Sequence, residues 1–333
     1  MVWLSFAICV AIIAIAGRNV AKYGDAIADK TGLGGVWIGA TLVSITTSLP
    51  EIFTGISSVV WANAPDLSIG DLFGANNINI LKLAVLDIFY PNRCLLAAAG
   101  RGQVLTAGAS LIMVALAASS LSLSGQFPLG IGWIGIYTPI IFFVYIAMVR
   151  MLFQFEKQER VDILGADSGM SYGHITLRKA VVIFAISAAF IIGGGIWLAF
   201  IGKEIADVTG WGQSFVGSLF LAFTTTLPEV TVGIAALRIG AVDIIVGDTF
   251  GSNLFNMLVI GVDDIFYTPG PVLAAVSPSH IFTAMVVMLL TGLSIAALIS
   301  PPMLKRVGYN WYIVAVIAIF LVATYISFTL GQA

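Results

Sequence analysis

The sequence predicts an all-α polytopic membrane protein of ten transmembrane helices, arranged as two inverted five-helix repeats. Three observations carry that prediction: the composition, the spacing of the apolar runs, and a polar motif that occurs twice. Of the 333 residues, 59% are apolar and only 10% are charged, with a mean hydropathy of +1.04. Soluble domains carry about 25% charged residues, so a water-soluble fold with a polar shell is excluded. The net charge of −2 is thinly spread and offers no footprint for nucleic acid. Two cysteines, Cys9 and Cys94, supply neither a disulfide framework nor a metal cluster and read as structural.

A helix needs about 20 apolar residues to cross roughly 30 Å of hydrocarbon. Ten runs qualify, at about 3–22, 34–61, 66–86, 103–123, 129–152, 180–202, 212–238, 242–262, 277–299 and 309–331. The first has no basic flank or clear cleavage site and has a counterpart later, so it reads as a span and not a signal peptide. The one long hydrophilic stretch, 153–179, is a charged linker that divides the chain into a first repeat, 1–152, and a second, 180–333. On this layout 14 of the 15 Lys and Arg residues lie on one side, Lys82 among them in the connection after the third span, and Lys203 alone lies on the other. Basic loops stay cytoplasmic. Both termini are therefore expected outside, with 153–179 cytoplasmic, in the cell membrane.

The two halves align. Residues 46–51 (TTSLPE) fall on 224–229 (TTTLPE), and 70–90 falls on 247–267 with 12 of 21 positions identical. Shared apolar residues mean little in a membrane protein, but shared Asp, Asn, Pro and Glu are not required by lipid. Five spans per copy is an odd number, so the second copy enters the bilayer from the opposite face. Inverted repeats with polar residues at mid-membrane characterise many secondary transporters, whose site lies where the repeats meet.

Glu51 and Glu229 lie near the middle of the second and seventh spans. A charged residue at a helix centre costs about 2.5–3.5 kcal/mol even on lenient insertion scales, and neither span carries a base at that depth to neutralise it. The two carboxylates are expected to face each other and hold a cation. Pro50 and Pro228 precede them; each removes an amide donor and displaces the carbonyl four residues back, at Thr46 and Thr224. In lipid a freed carbonyl needs a partner, and the hydroxyls of Thr47, Ser48, Thr225 and Thr226 add further oxygens. On the third and eighth spans, Asp71, Ala75 and Asn79 share one helix face, as do Asp248, Ser252 and Asn256. Asn76 and Asn253 read as interhelical glue, and Asp71 and Asp248 as charged mouths on the outer and inner approaches. Asp87 and Asp264 read as caps or interfacial anchors. All candidate ligands are oxygens, which suit hard cations such as Ca²⁺ and Na⁺ and disfavour zinc, copper and iron.

These motifs, T-[ST]-LPE and G-x-x-x-G-[AS]-N, each present twice within about 34–90 and 212–267, resemble the alpha-repeats of the cation/calcium exchanger superfamily. The resemblance implies a secondary antiporter exchanging Ca²⁺ for Na⁺ by alternating access, not an enzyme, with no resident cofactor. Glu51 and Glu229 would be the central Ca²⁺ ligands. Thr47, Ser48, Thr225, Thr226, Asn79, Ser252 and Asn256 would help form the Ca²⁺ and Na⁺ subsites, and the first and sixth helices would slide across the rest. Ala75, Asn256, Asp71 and Asp248 depart from the usual family residues, which leaves an H⁺/Ca²⁺ antiporter as the alternative. From other classes, a passive cation channel and an intramembrane aspartyl protease using Asp71 and Asp248 are the rivals. The expected partners are the lipid bilayer and inorganic cations, with no protein partner evident.

Overall fold

A computed structural model of the protein describes residues 2–31, 44–45, 47–90, 94–100, 102–124, 127, 129–161, 175–238, 240, 242–300 and 310–330. The helices among them are α1 (Val2–Thr31), α2 (Leu49–Val60), α3 (Pro65–Phe89), α4 (Gly102–Ser124), α5 (Tyr137–Val161), α6 (Leu177–Thr209), α7 (Gln213–Thr225), α8 (Leu227–Arg238), α9 (Val242–Phe266), α10 (Ser279–Ile299) and α11 (Trp311–Leu330). Eight of these are long and apolar enough to cross a membrane, and the bent pair α7–α8 makes a ninth if it is one span. The predicted span 34–61 is represented by α2; residues 34–43 and 46 lie outside the described residues.

Burial sorts the helices into layers. In the most apolar stretch of α3 and of α9, 78% of residues are buried, against 11% in α5 and 17% in α11. The two central helices are therefore sheathed in protein while the outer ones face lipid. α3 and α9 pack on each other, with α2, α4, α10 and the α7–α8 pair around them, and α1 lies along α6. Small residues permit the closest approaches. A Cβ at Gly74 of α3 would come within 2.3 Å of the Ser218 carbonyl oxygen on α7, and one at Gly17 of α1 within 2.3 Å of the Pro228 ring on α8.

Proline marks the broken helices. Pro50 and Pro228 sit in the first turns of α2 and α8, where a missing amide donor costs nothing. Ser48 and Thr226 are the non-helical residues just before. α7 and α8 meet at 44°, and a π-turn at Gly217–Leu221 loosens α7 upstream of the bend.

Three expectations need correction. The fifth span does not begin at 129: Gly130–Ile131 and Ile134–Gly135 form a hairpin, β1 and β2, and the helix starts at Tyr137. Glycines explain it, since Gly132 turns the hairpin at φ +67°, a backbone conformation that costs glycine little. Helix α1 continues to Thr31, through residues expected in a loop. Lys82, expected in the connection after the third span, lies within α3 and is buried, its ammonium paired with Asp248.

Asp87 and Asp264, expected as caps or anchors, each tie a loop to the core. Asp87 accepts from the Leu95 amide (2.6 Å) and from Asn310 Nδ2 (2.8 Å). Asp264 accepts from the amides of Gly135 and Val272 (2.7 Å each), the Tyr137 hydroxyl (2.6 Å) and Thr138 Oγ1 (2.5 Å).

Candidate cation site

Glu51 and Glu229 are fully buried at the first turns of α2 and α8, so the proline breaks that start these helices also place both carboxylates in the centre. Ser48 Oγ donates to Glu229 Oε1 at 3.3 Å, joining the first motif to the second glutamate. Thr225 Oγ1 donates to Asp71 Oδ1 at 2.9 Å, joining the second motif to α3. The two TxLPE segments and the two central helices therefore meet in one polar region.

Between α3 and α9 the asparagines form a reciprocal network. Asn76 Nδ2 donates to the Asn253 carbonyl (3.3 Å) and Asn253 Nδ2 to the Asn76 carbonyl (3.2 Å). Asn79 Nδ2 donates to Asn253 Oδ1 (3.1 Å), and Asn256 Nδ2 to Asn76 Oδ1 (3.0 Å). Asn76 and Asn253 are thus glue, as expected, and also orienters: they hold the NH₂ groups of Asn79 and Asn256, leaving each Oδ1 free to accept.

Unsatisfied atoms define what the region wants. Among the described residues, the buried side-chain atoms without a hydrogen-bond partner include both oxygens of Glu51, Glu229 Oε2, Asp71 Oδ2, Asp248 Oδ1, Asn79 Oδ1, Asn256 Oδ1 and Ser252 Oγ. All are oxygens, and a buried acceptor without a donor costs about 1–3 kcal/mol, more when charged. A hard cation answers several such oxygens at once. No trio of Asp, Glu, His or Cys converges as a metal cage among the described residues, so neutral oxygens would have to complete the coordination.

Other expected ligands are engaged within their own helices. Thr47 Oγ1 donates to the Ser44 carbonyl (3.1 Å), Thr224 Oγ1 to the Phe220 carbonyl (2.8 Å) and Thr226 Oγ1 to the Ala222 carbonyl (2.7 Å). Their hydroxyl oxygens can still accept, but their protons are committed. Thr46 lies outside the described residues.

The charged mouths are corrected. Asp71 and Asp248 are buried, and Asp248 Oδ2 is paired with Lys82 Nζ at 2.9 Å. Sequence reasoning placed Lys82 in a loop and missed both this pair and Asp263, a buried residue of α9 that accepts a hydrogen bond from Ser68 Oγ. The available signal for Lys82 was that its aligned partner in the second repeat is Val259, an apolar residue.

The sodium/calcium exchanger protein family matches residues 1–152 and 179–333. The chain belongs to that family. As a member it is a multi-pass membrane transporter of the antiporter type and not an enzyme. This family member is 27% identical over 242 residues to the inner membrane protein YrbG of Escherichia coli, a match covering 71% of this chain and 70% of that one. It is 24% identical over 272 residues to the sodium/calcium exchanger MaX1 of Methanosarcina acetivorans, covering 74% and 77%. Its fold is that of the sodium-calcium exchanger NCX_Mj, with TM-score 0.63, 19% identity, and 98% and 99% of the two chains covered. It also matches the H⁺/Ca²⁺ exchanger CAX, with TM-score 0.70, 11% identity and coverage of 99% and 86%.

Proposed function

We propose that this exchanger-family protein is a secondary antiporter that moves Ca²⁺ against Na⁺ by alternating access at a midplane site centred on Glu51 and Glu229. The observation that carries this reading is the set of unsatisfied buried oxygens contributed by both sequence motifs and both central helices. Two glutamates can be balanced by one Ca²⁺ or by two or more Na⁺, but not by both sets together. Competition for the same carboxylates couples the two fluxes, because an empty, uncompensated site resists dehydration. Ten spans in two inverted repeats, 1–152 and 180–333 joined by the cytoplasmic segment 153–179, both termini outside, and residence in the cell membrane complete the reading. The relative YrbG bears the name of an inner membrane protein, in keeping with that location.

An H⁺/Ca²⁺ antiporter on the same fold is the second reading, favoured by the asparagine at Asn256, which lowers the negative charge available to Na⁺, and by the structural likeness to CAX. The test is ⁴⁵Ca²⁺ uptake into proteoliposomes under an outward Na⁺ or an outward H⁺ gradient. Sodium-driven uptake that falls to background in Glu51→Gln and Glu229→Gln is the expected result. Uptake driven by H⁺ alone would replace the driving ion, and no uptake under either gradient would remove Ca²⁺ as cargo.

A further inference from the structure

The two halves of the site are not alike in charge. Among the described residues, Lys82 is the only buried Lys or Arg. Its ammonium lies 2.9 Å from Asp248 Oδ2 and 3.5 Å from the Glu229 carbonyl oxygen. Its aliphatic stem passes beside Gly233, where a Cβ would come within 3.5 Å of Lys82 Cδ and 2.8 Å of Leu86. Gly233 is one helical turn beyond Glu229, so a lysine and a leucine from α3 fill the slot next to that glutamate.

The aligned slot in the other half holds the opposite. Gly55, one turn beyond Glu51 and aligned with Gly233, is covered by the Asp263 carboxylate, 2.5 Å from where a Cβ would sit. Asp263 aligns with Leu86, and its donor Ser68 aligns with Ile245. Along α2, Thr54 and Ser58 continue the buried face of Glu51, each with an unsatisfied hydroxyl oxygen; their counterparts on α8 are Val232 and Ala236. Among the described residues, the Glu51 half thus has Asp71 and Asp263, extra hydroxyls and no base. The Glu229 half has Asp248, apolar residues and a lysine paired with that aspartate.

We propose that Lys82 is a resident counter-ion for Asp248, standing in for one unit of cation charge in the Glu229 half, so that transported positive charge is neutralised mainly in the Glu51–Asp71–Asp263 half. The proposal rests on the antiporter reading and assigns the distribution of charge within that site. A fixed ammonium contacting Asp248 denies that carboxylate to a mobile cation, and in a low-dielectric interior it also repels cations from its neighbourhood.

The test compares K82Q, D248N and the double variant K82Q/D248N as purified full-length proteins. In choline buffer K82Q should melt below the wild type, and NaCl or CaCl₂ should restore it by more than they raise the wild type, because Asp248 then needs a mobile cation. That extra cation dependence should vanish in the double variant. In proteoliposomes D248N, with the lysine unopposed, should need about tenfold more Ca²⁺ for half-maximal flux, and the double variant should return to within about twofold of the wild type. A K82Q melting loss that neither salt relieves, or a D248N phenotype unchanged in the double variant, would overturn the proposal. Should K82Q fail to fold, the comparison of D248N with the double variant decides. A wild type that moves no Ca²⁺ under any gradient removes Ca²⁺ as cargo instead, and the melting comparison, which needs no transport, still judges Lys82.

Discussion

Asn76 and Asn253 hold two carbonyls and two side-chain amides in a closed set of four hydrogen bonds. Replacing either with alanine strands the NH₂ of Asn256 or Asn79 in the core, at about 1–3 kcal/mol for each unsatisfied group. Asn253→Ala is therefore expected to lower the melting temperature and to raise the Ca²⁺ concentration for half-maximal flux about tenfold; a melt and a ⁴⁵Ca²⁺ titration check both. The residue types at the site were legible in the sequence because lipid gives no reason to duplicate Asn, Glu and Pro. Which asparagine orients and which presents an oxygen was not, since that depends on how α3 and α9 face each other. Lys82 was misplaced for a simpler reason: a lone lysine near the end of an apolar run reads with the basic connections, although it falls inside 66–86, and its buried partner Asp248 lies 166 residues away. Cys94, in the loop after α3, supplies a chemical check on burial. Desolvation, with the nearby Asp87 carboxylate, pushes its thiol up to about 11, and maleimides react with the thiolate. Native protein at pH 7 should resist labelling at Cys94, with reactivity climbing as pH rises toward 11, while denatured protein labels readily. Fast labelling of the native state at neutral pH would contradict the packing of that loop.

Among elements, α1 and α6 bear on the broken helices through glycine. Gly17 of α1 abuts Pro228 on α8, and Gly195 of α6 abuts Phe53 and Thr54 on α2, where a Cβ would come within 3.1 Å of both. The two glycines occupy aligned positions in the halves, and each leaves a smooth crossing over the helix that carries a site glutamate. Gly17→Ala must displace a proline ring 2.3 Å away, a rigid neighbour that cannot rotate aside. It is expected to slow flux by about tenfold, an overpacking cost of roughly 1–3 kcal/mol, while the cation-induced melting shift stays within error. A loss of the shift as well would mean that the crossing shapes the site and not its movement. The hairpin before α5 escaped the sequence because its other residues are apolar and continue the hydrophobic run; the glycines at 130, 132 and 135 were the available signal. Its anchor is Asp264, and Asp264→Asn leaves donors among Gly135, Tyr137, Thr138 and Val272 without a charged acceptor. Hydrogen bonds to charged groups contribute about 1.5–3 kcal/mol each, so thermal denaturation should show one of the larger losses of any single substitution outside the site.

At the scale of the whole molecule, the distribution of basic residues predicts an orientation that can be tested. Ile131 in the hairpin and Leu177 at the start of α6 are both exposed, and the proposed topology sets them on opposite sides. Ile131→Cys should react with a membrane-impermeant maleimide on intact cells, and Leu177→Cys only after permeabilisation; the reverse pattern would invert the molecule. Composition alone pointed to residence in lipid, and the doubled motif pointed to the candidate site, because both signals are independent of packing. The unequal filling of the Gly55 and Gly233 slots was invisible, since it needs contacts between residues about 150 to 210 positions apart in sequence. That inequality has a consequence for ancestry. Two copies of a single five-span half could make the reciprocal Asn76–Asn253 joint, because a two-fold interface repeats every contact. They could not place an acid in one slot and a lysine in the other. Under the proposed inverted-repeat topology, Lys82 and Asp263 therefore mark positions where the two copies diverged, so that the two approaches to the site need not be equivalent.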